Sequence, residues 1–224
     1  MCSFWKSIFV GLFAARSNNN TGIAGIAGGW GDISGVKVMA LKYVTNDSLG
    51  VSAASVAQCI RYAALNGAKI CNMSFSYSDS IGIPSLAEAL DSASRVYKIL
   101  LVASSGNGDI DSLEYPASDS LVISVGAVSD WTLFQSRWVS FLNGSSYGNG
   151  LDVVAPTRVI TTIMSGAYDG YFDGTSGAAP HVTGVVALLL LEFRKDRMNS
   201  NSRMQDIYIV LGPDATRARV HSRY

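Results

Sequence analysis

The chain has 224 residues, of which 48% are hydrophobic and 15% are charged, and 22 of them are glycine. This length suffices for one domain with a sizeable core, and the composition is typical of a glycine-rich α/β protein. The formal net charge is zero, which argues against a nucleic acid or an anionic membrane as the main partner.

The N-terminal segment permits two interpretations. Residues 1–15 contain one lysine and a short apolar run, a pattern that a secretory signal peptide shares. The run is too short and too interrupted to span a membrane. It also leads directly into the asparagine- and glycine-rich residues 18–27, and this continuity favours a helix of the core.

Apolar runs alternate with helical patterns through the middle of the chain. Strands are predicted at 36–44, 69–76, 97–104, 121–128, 152–156 and 159–163, and helices at 51–66, 85–95, from Ser176 onward, and at 202–210. Gly67 is the expected C-cap of the first of these helices. The alternation predicts a three-layer α/β fold with a mainly parallel sheet and helices on both faces. Cys59 and Cys71 have no metal-ligand spacing and are expected to be buried free thiols.

The most informative stretch is 174–182, Gly-Thr-Ser-Gly-Ala-Ala-Pro-His-Val, which leads into an apolar run. It is typical of a glycine turn that feeds a buried helix with Ser176 at its start. Pro180 is expected in the first turn, where no backbone N–H is needed. Ser176 is then either a helix N-cap or a nucleophile whose developing charge the helix N-terminus stabilises.

This stretch resembles the serine motif of the subtilisin-like serine proteases, G-T-S-M-A-x-P-H-V-x-G, and departs from its fixed positions only at Gly177. The resemblance covers about residues 9–195 of what we take to be a single domain, 1–224, with a C-terminal helix and a frayed tail in 196–224. It implies serine endopeptidase chemistry without a required cofactor. The family is typically secreted, although no convincing signal peptide is visible.

Two further segments carry the resemblance. Asn107, in Ser-Ser-Gly-Asn-Gly after an apolar run, matches the asparagine of the family's A-A-G-N segment, whose side chain donates to the tetrahedral intermediate. Residues 72–75, Asn-Met-Ser-Phe, match the segment that pairs with extended substrate. The resemblance therefore implies that an extended polypeptide binds along Ser74, Phe75, Ser76, Ser104 and Gly106. Because the family has glycine where this chain has Ser76, a narrower first specificity pocket is expected.

The catalytic base and acid have no match in this sequence. A serine nucleophile needs a base, and the base needs a carboxylate to orient it. The resemblance places Trp5 where the family has histidine. His181 lies five residues beyond Ser176, about 140° around the helix axis, and His221 lies in the basic tail. Asp32, in Asp-Ile-Ser-Gly, is interpreted as a turn residue because it follows the segment that resembles the histidine helix.

The asparagine-rich loop raises the question of calcium. The family often binds Ca²⁺ there, and the resemblance places the Asn19 side chain and the carbonyls of Ser17, Thr21 and Ile23 as candidate ligands. Calcium takes six to eight oxygens, and a solvated polar loop explains the same residues.

The sequence thus favours an N-terminally truncated subtilisin-like catalytic domain that is inactive by itself. A non-catalytic peptide-binding relative and a decayed gene fragment are the alternatives.

Overall fold

The computed structural model describes residues 4–42, 52–77, 84–129, 136–140, 143–163, 167–195 and 208–211. Its helices are α1 Phe4–Ala14, α2 Ala53–Leu65, α3 Pro84–Asp91 and α4 Thr175–Lys195, with one π-helical turn at Ser92–Val96. Its strands are β1 Gly29–Trp30, β2 Ile33–Ser34, β3 Lys37–Ala40, β4 Ile70–Met73, β5 Leu100–Ser104, β6 Val122–Ser129, β7 Ser136–Arg137, β8 Val153–Pro156, β9 Val159–Thr162, β10 Tyr168–Phe172 and β11 Tyr208–Leu211.

The central sheet is mainly parallel. Its strand order is β3-β11-β4-β5-β6-β7, and β8 also pairs with β6. All of its pairings are parallel except the one between β6 and β7. Parallel strands need crossover connections, and the crossovers in the middle of the chain contain α2 and α3. The predicted three-layer α/β fold is therefore confirmed.

Neighbouring residues of the central strands point into two separate cores, one on each face of the sheet. Cys71 and Leu101 pack in a core with α2 and α3. Ile70 and Val102 pack in a second core with α1 and α4. Because both faces are covered, the central strands are mostly apolar and show no regular alternation of apolar and polar residues.

Helix α1 belongs to the second core. Ile8 and Phe13 have no exposed surface, and Phe9 stacks edge-on against Phe172 at 5.7 Å between ring centroids. In the described structure this segment therefore behaves as the core helix that the continuity with residues 18–27 favoured.

Helix α4 is the longest helix of the described structure. Its stretch Thr175–Phe193 is long and apolar enough to cross a membrane by length and composition alone, and 44% of that stretch is buried. Ala178, Ala179 and Ala187 are fully buried against the sheet. The opposite side is exposed, with Leu189 at 52% and Phe193 at 69%.

One predicted element is wrong. We expected a C-terminal surface helix at 202–210, whereas Tyr208–Leu211 forms β11, parallel to both β3 and β4. The run Tyr-Ile-Val-Leu is rich in β-formers, and strand pairing within the sheet outweighs the helical spacing. Residues 202–207 and the expected frayed tail 213–224 lie outside the described residues.

Several local predictions hold. Gly67 follows α2 with φ +79°, the left-handed conformation of a glycine C-cap. Asp32 lies in the turn of the β1–β2 hairpin, as its interpretation as a turn residue predicted. Cys71 is buried and Cys59 half-buried, and both are free thiols. Burial raises the pKa of Cys71 to about 12.

Candidate active site

Ser176 is the second residue of α4, directly after the turn at Gly174, whose φ is +87°. Its hydroxyl donates a hydrogen bond to the Ser74 carbonyl at 3.2 Å. The side chain is therefore directed across to the segment after β4 and does not fold back as an N-cap. This position beside the free N–H groups of a helix N-terminus is the one that a nucleophile requires.

The expectation for Pro180 is corrected. Pro180 lies inside α4, beyond the first four residues, whose N–H groups have no partner in any helix. The helix therefore does lose one hydrogen bond, the one that residue 180 would have donated to the Ser176 carbonyl.

Gly177, the position where the motif has methionine, has a packing explanation. A Cβ built there would meet the Thr157 hydroxyl at 3.0 Å and the Phe172 ring at 3.3 Å. Thr157 in turn donates to the Gly174 carbonyl at 2.9 Å. These neighbours fill the space, so glycine is the residue that fits without a shift.

Asn107 follows β5 and holds the start of α4. Its side-chain oxygen accepts hydrogen bonds from both the backbone N–H and the hydroxyl of Thr175, each at 2.9 Å. Since Oδ1 is committed to two donors, the Nδ2 group is the end of the amide that remains to donate. Asn107 is thus bonded to Thr175, the residue directly before Ser176.

The residues predicted to bind substrate lie close to one another and close to Ser176. The Ser104 hydroxyl, on β5, donates to the Phe75 carbonyl at 3.4 Å. The Asn72 amide donates to the Ser74 hydroxyl at 2.9 Å, and the Ser76 hydroxyl donates to the Glu114 carboxylate. Residues 74–76 and 104–106 therefore lie side by side, and we refer to the surface between these two walls as the cleft.

Sequence reasoning missed two residues that support this cleft. Thr183 of α4 donates to the Asn72 side-chain oxygen at 2.8 Å, and both residues are buried. Glu114 lies against Gly106, where an added Cβ would collide with its carboxyl group. Thr183 falls at a variable position of the motif and Glu114 falls in a loop, so neither carried a recognisable signal.

The described residues bring no base to Ser176. His181 Nδ1 is 2.9 Å from the Gly177 carbonyl, one turn back on its own helix. Burial lowers the pKa of His181, and the bond to this carbonyl opposes part of that effect. Trp5, at the position where the family has histidine, is part of helix α1. His221 lies outside the described residues.

The candidate calcium loop is partly satisfied by its own hydrogen bonds. The Asn19 side-chain oxygen accepts the Thr21 N–H at 3.1 Å, and the Ser17 carbonyl accepts the Gly31 N–H at 2.9 Å. The described residues contain no cluster of three or more His, Cys, Asp or Glu side chains that could hold a metal. The candidate set, the Asn19 side-chain oxygen and the carbonyls of Ser17, Thr21 and Ile23, supplies four ligands, fewer than calcium takes.

Comparison with known proteins identifies relatives. The sequence profile of the subtilase family matches residues 7–222. A thermophilic serine proteinase of Bacillus sp. (strain AK1) is 34% identical over 186 residues, covering 83% of this chain and 42% of that protein. Subtilisin BL of Lederbergia lenta is 34% identical over 179 residues, covering 78% of this chain and 59% of that protein. The chain therefore spans less than two thirds of the length of either relative.

Solved structures agree with the fold. The prenylagaramide maturation protease PagA superposes with a TM-score of 0.61 at 26% identity, covering 85% of this chain and 72% of the other. Sphericase superposes with a TM-score of 0.64 at 24% identity, covering 88% of this chain and 64% of the other.

Proposed function

Because the chain belongs to the subtilase family, we propose that its cleft binds an extended polypeptide, with Ser176 as the nucleophile and Asn107 as the oxyanion donor. The family relation makes this a subtilisin-like serine protease domain. A polypeptide is the substrate class of such a domain. The residue roles and the reactivity of these 224 residues are the part that we propose.

One observation carries the proposal. Asn107 holds Thr175 through two hydrogen bonds, and the next residue, Ser176, bonds across to the Ser74 carbonyl. The Asn107 side chain is therefore bonded to the residue next to Ser176, and we propose that its Nδ2 group donates to the oxygen of a substrate carbonyl that lies against the Ser176 hydroxyl. Preorganised donors of this kind stabilise the oxyanion of acyl transfer, each contributing about 10²- to 10³-fold in kcat.

We further propose that these 224 residues alone hydrolyse no peptide bond. The hydroxyl of Ser176 donates to a backbone carbonyl, which cannot accept its proton during attack, and His181 is held by its own helix. In subtilisin, loss of the catalytic histidine lowers kcat by about 10⁶-fold. Among the described residues no base or orienting carboxylate reaches Ser176, and we propose that both come from residues outside these 224.

A second function is supported by the same geometry. The segments 74–76 and 104–106 are joined by the hydrogen bond from the Ser104 hydroxyl to the Phe75 carbonyl, and Glu114 bonds Ser76 and lies against Gly106. A cleft that is assembled without a base can bind a peptide without cleaving it. Peptide binding by a non-catalytic relative is therefore the alternative that a reactivity test must separate from a protease domain.

The test measures the reactivity of Ser176. Three proteins are treated with a fluorophosphonate and analysed by intact mass spectrometry. They are the 224-residue chain, its Ser176→Ala variant, and a fusion of the chain with the N-terminal part of Subtilisin BL that carries the family's Asp and His motifs. We expect no adduct on the chain and one adduct on the fusion that Ser176→Ala abolishes. An adduct at Ser176 on the chain alone would refute the lack of a base. A folded fusion without an adduct would favour the peptide-binding alternative.

Calcium remains a separate proposal. We propose that the Asn19 loop binds Ca²⁺ only when further oxygens complete the shell, because the loop oxygens are fewer than calcium takes. The measurement is the thermal midpoint with calcium chloride and with EDTA, for the chain, the fusion and Asn19→Ala. A calcium-dependent rise in the fusion that Asn19→Ala removes is expected. An equal rise in the unfused chain would contradict the requirement for further ligands.

A further inference from the structure

We infer that Glu114 selects a basic residue, Arg or Lys, at the position of the bound polypeptide whose carbonyl faces Ser176. This inference rests on the proposed function, because it assigns the specificity of the same cleft.

The Glu114 carboxylate lies between the two walls of the cleft. It accepts the Ser76 hydroxyl on one wall of the cleft and lies against Gly106 on the other. Only two residues of chain separate Ser76 from Ser74, at most about 7 Å, and the Ser74 carbonyl holds Ser176. Glu114 therefore lies close to the proposed nucleophile, at a separation that a long side chain can bridge.

The Glu114 carboxylate is fixed in position by its neighbours. The Glu114 backbone N–H donates to the Ser105 carbonyl at 3.0 Å, and the next residue, Tyr115, pairs with Tyr77 through hydrogen bonds of 2.7 and 3.1 Å. A side chain at position 106 would displace the carboxyl group, and Gly106, with φ +108°, leaves that space open. The group is thus held in place on both sides.

No cationic side chain among the described residues pairs with the Glu114 carboxylate. Four of the arginines pair with other carboxylates: Arg61 with Glu88, Arg95 with Asp91, Arg137 with Asp109 and Arg158 with Asp173. Among the described residues, the Ser76 hydroxyl is the polar side chain that bonds the Glu114 carboxylate. The internal segments between described residues up to 167 contain no Lys or Arg. A carboxylate in this position favours a cationic ligand and disfavours an acidic one.

The experiment measures binding of labelled peptides to the 224-residue chain by fluorescence anisotropy. The probes are acetyl-capped Ala-Ala-Ala-Xaa amides carrying a fluorophore, with Arg, norleucine or Glu at Xaa. We expect the Arg peptide to bind about tenfold more tightly than the norleucine peptide, the size of one charge-assisted hydrogen bond. The Glu peptide should bind more weakly than norleucine. Sodium chloride should reduce the Arg preference.

Variants locate the effect. Glu114→Gln keeps a hydrogen-bond acceptor for Ser76 and should make the Arg and norleucine peptides equal. Glu88→Gln is the matched control, since Glu88 is exposed on α3 and pairs with Arg61, and it should leave the preference unchanged. The three peptides on the unaltered chain test the same point without any variant.

Two failures are distinguishable. Equal binding of the Arg and norleucine peptides to the unaltered chain, or a preference that survives Glu114→Gln, would overturn the inference and leave the proposed function intact. If none of the three peptides binds, the cleft is not a peptide site and both proposals fall.

Discussion

The buried bond between Thr183 and Asn72 provides the sharpest test of how α4 is fastened to the sheet. Thr183 has no exposed surface, Asn72 is 2% exposed, and their side chains are 2.8 Å apart. Thr183→Val keeps the shape but leaves the Asn72 oxygen buried without its donor. Such a group costs about 1–3 kcal/mol. With a urea m-value of about 2 kcal/mol/M, a loss of 2 kcal/mol lowers the unfolding midpoint by about 1 M.

The assay is urea unfolding followed by circular dichroism at two protein concentrations, so that association and unfolding are separated. Asn72→Leu with Thr183→Val replaces both polar partners, and the double variant should be destabilised by less than the sum of the two single variants. A Thr183→Val variant within about 0.5 kcal/mol of the unaltered chain would refute this reasoning. Additive losses would show that the two side chains are not coupled.

Three further outcomes are expected. Gly106→Ala should destabilise the chain more than Gly67→Ala in the same urea assay, because both have positive φ but only the first new Cβ meets other atoms. Burial raises the pKa of Tyr77 and of Tyr115 from 10.0 to about 12, so the folded chain keeps these two protons to a higher pH than the unfolded chain does. Their contribution to stability is complete below pH 10 and is lost between about pH 10 and 12, which unfolding midpoints across that range measure. The exposed side of α4 should promote self-association, and Phe193→Glu should reduce the sedimentation coefficient towards that of a monomer.

Most of the fold could be predicted because its signals are local. Parallel strands covered on both faces are predominantly apolar, and β5 and β6 carry that signal in their own residues. Strand β11 could not be placed from sequence. Its four residues acquire their conformation from partners at β3 and β4, which are far away along the chain.

The residues of the candidate site also differ in whether a local sequence signal predicts them. Ser176 and Asn107 lie in dense motifs, so the sequence located both before any geometry was known. Glu114 occupies a loop, and only the folded chain reveals that its carboxyl group fills the space beside Gly106. Residues that act through a contact across the fold leave no pattern in the sequence around them.

The hydrogen bond of Ser176 is the physical basis for the proposal that this serine is unreactive in the 224 residues. In the described structure its proton is directed to the Ser74 carbonyl at 3.2 Å, so the lone pairs of Oγ are free but the proton has no base to leave to. In the proposed mechanism the helix N-terminus and Asn107 stabilise the negative charge that appears on the substrate oxygen during attack. Neither group can remove the proton from the attacking serine. Stabilisation of the oxyanion and activation of the nucleophile are separate requirements, and the proposal assigns only the first of them to residues of this chain.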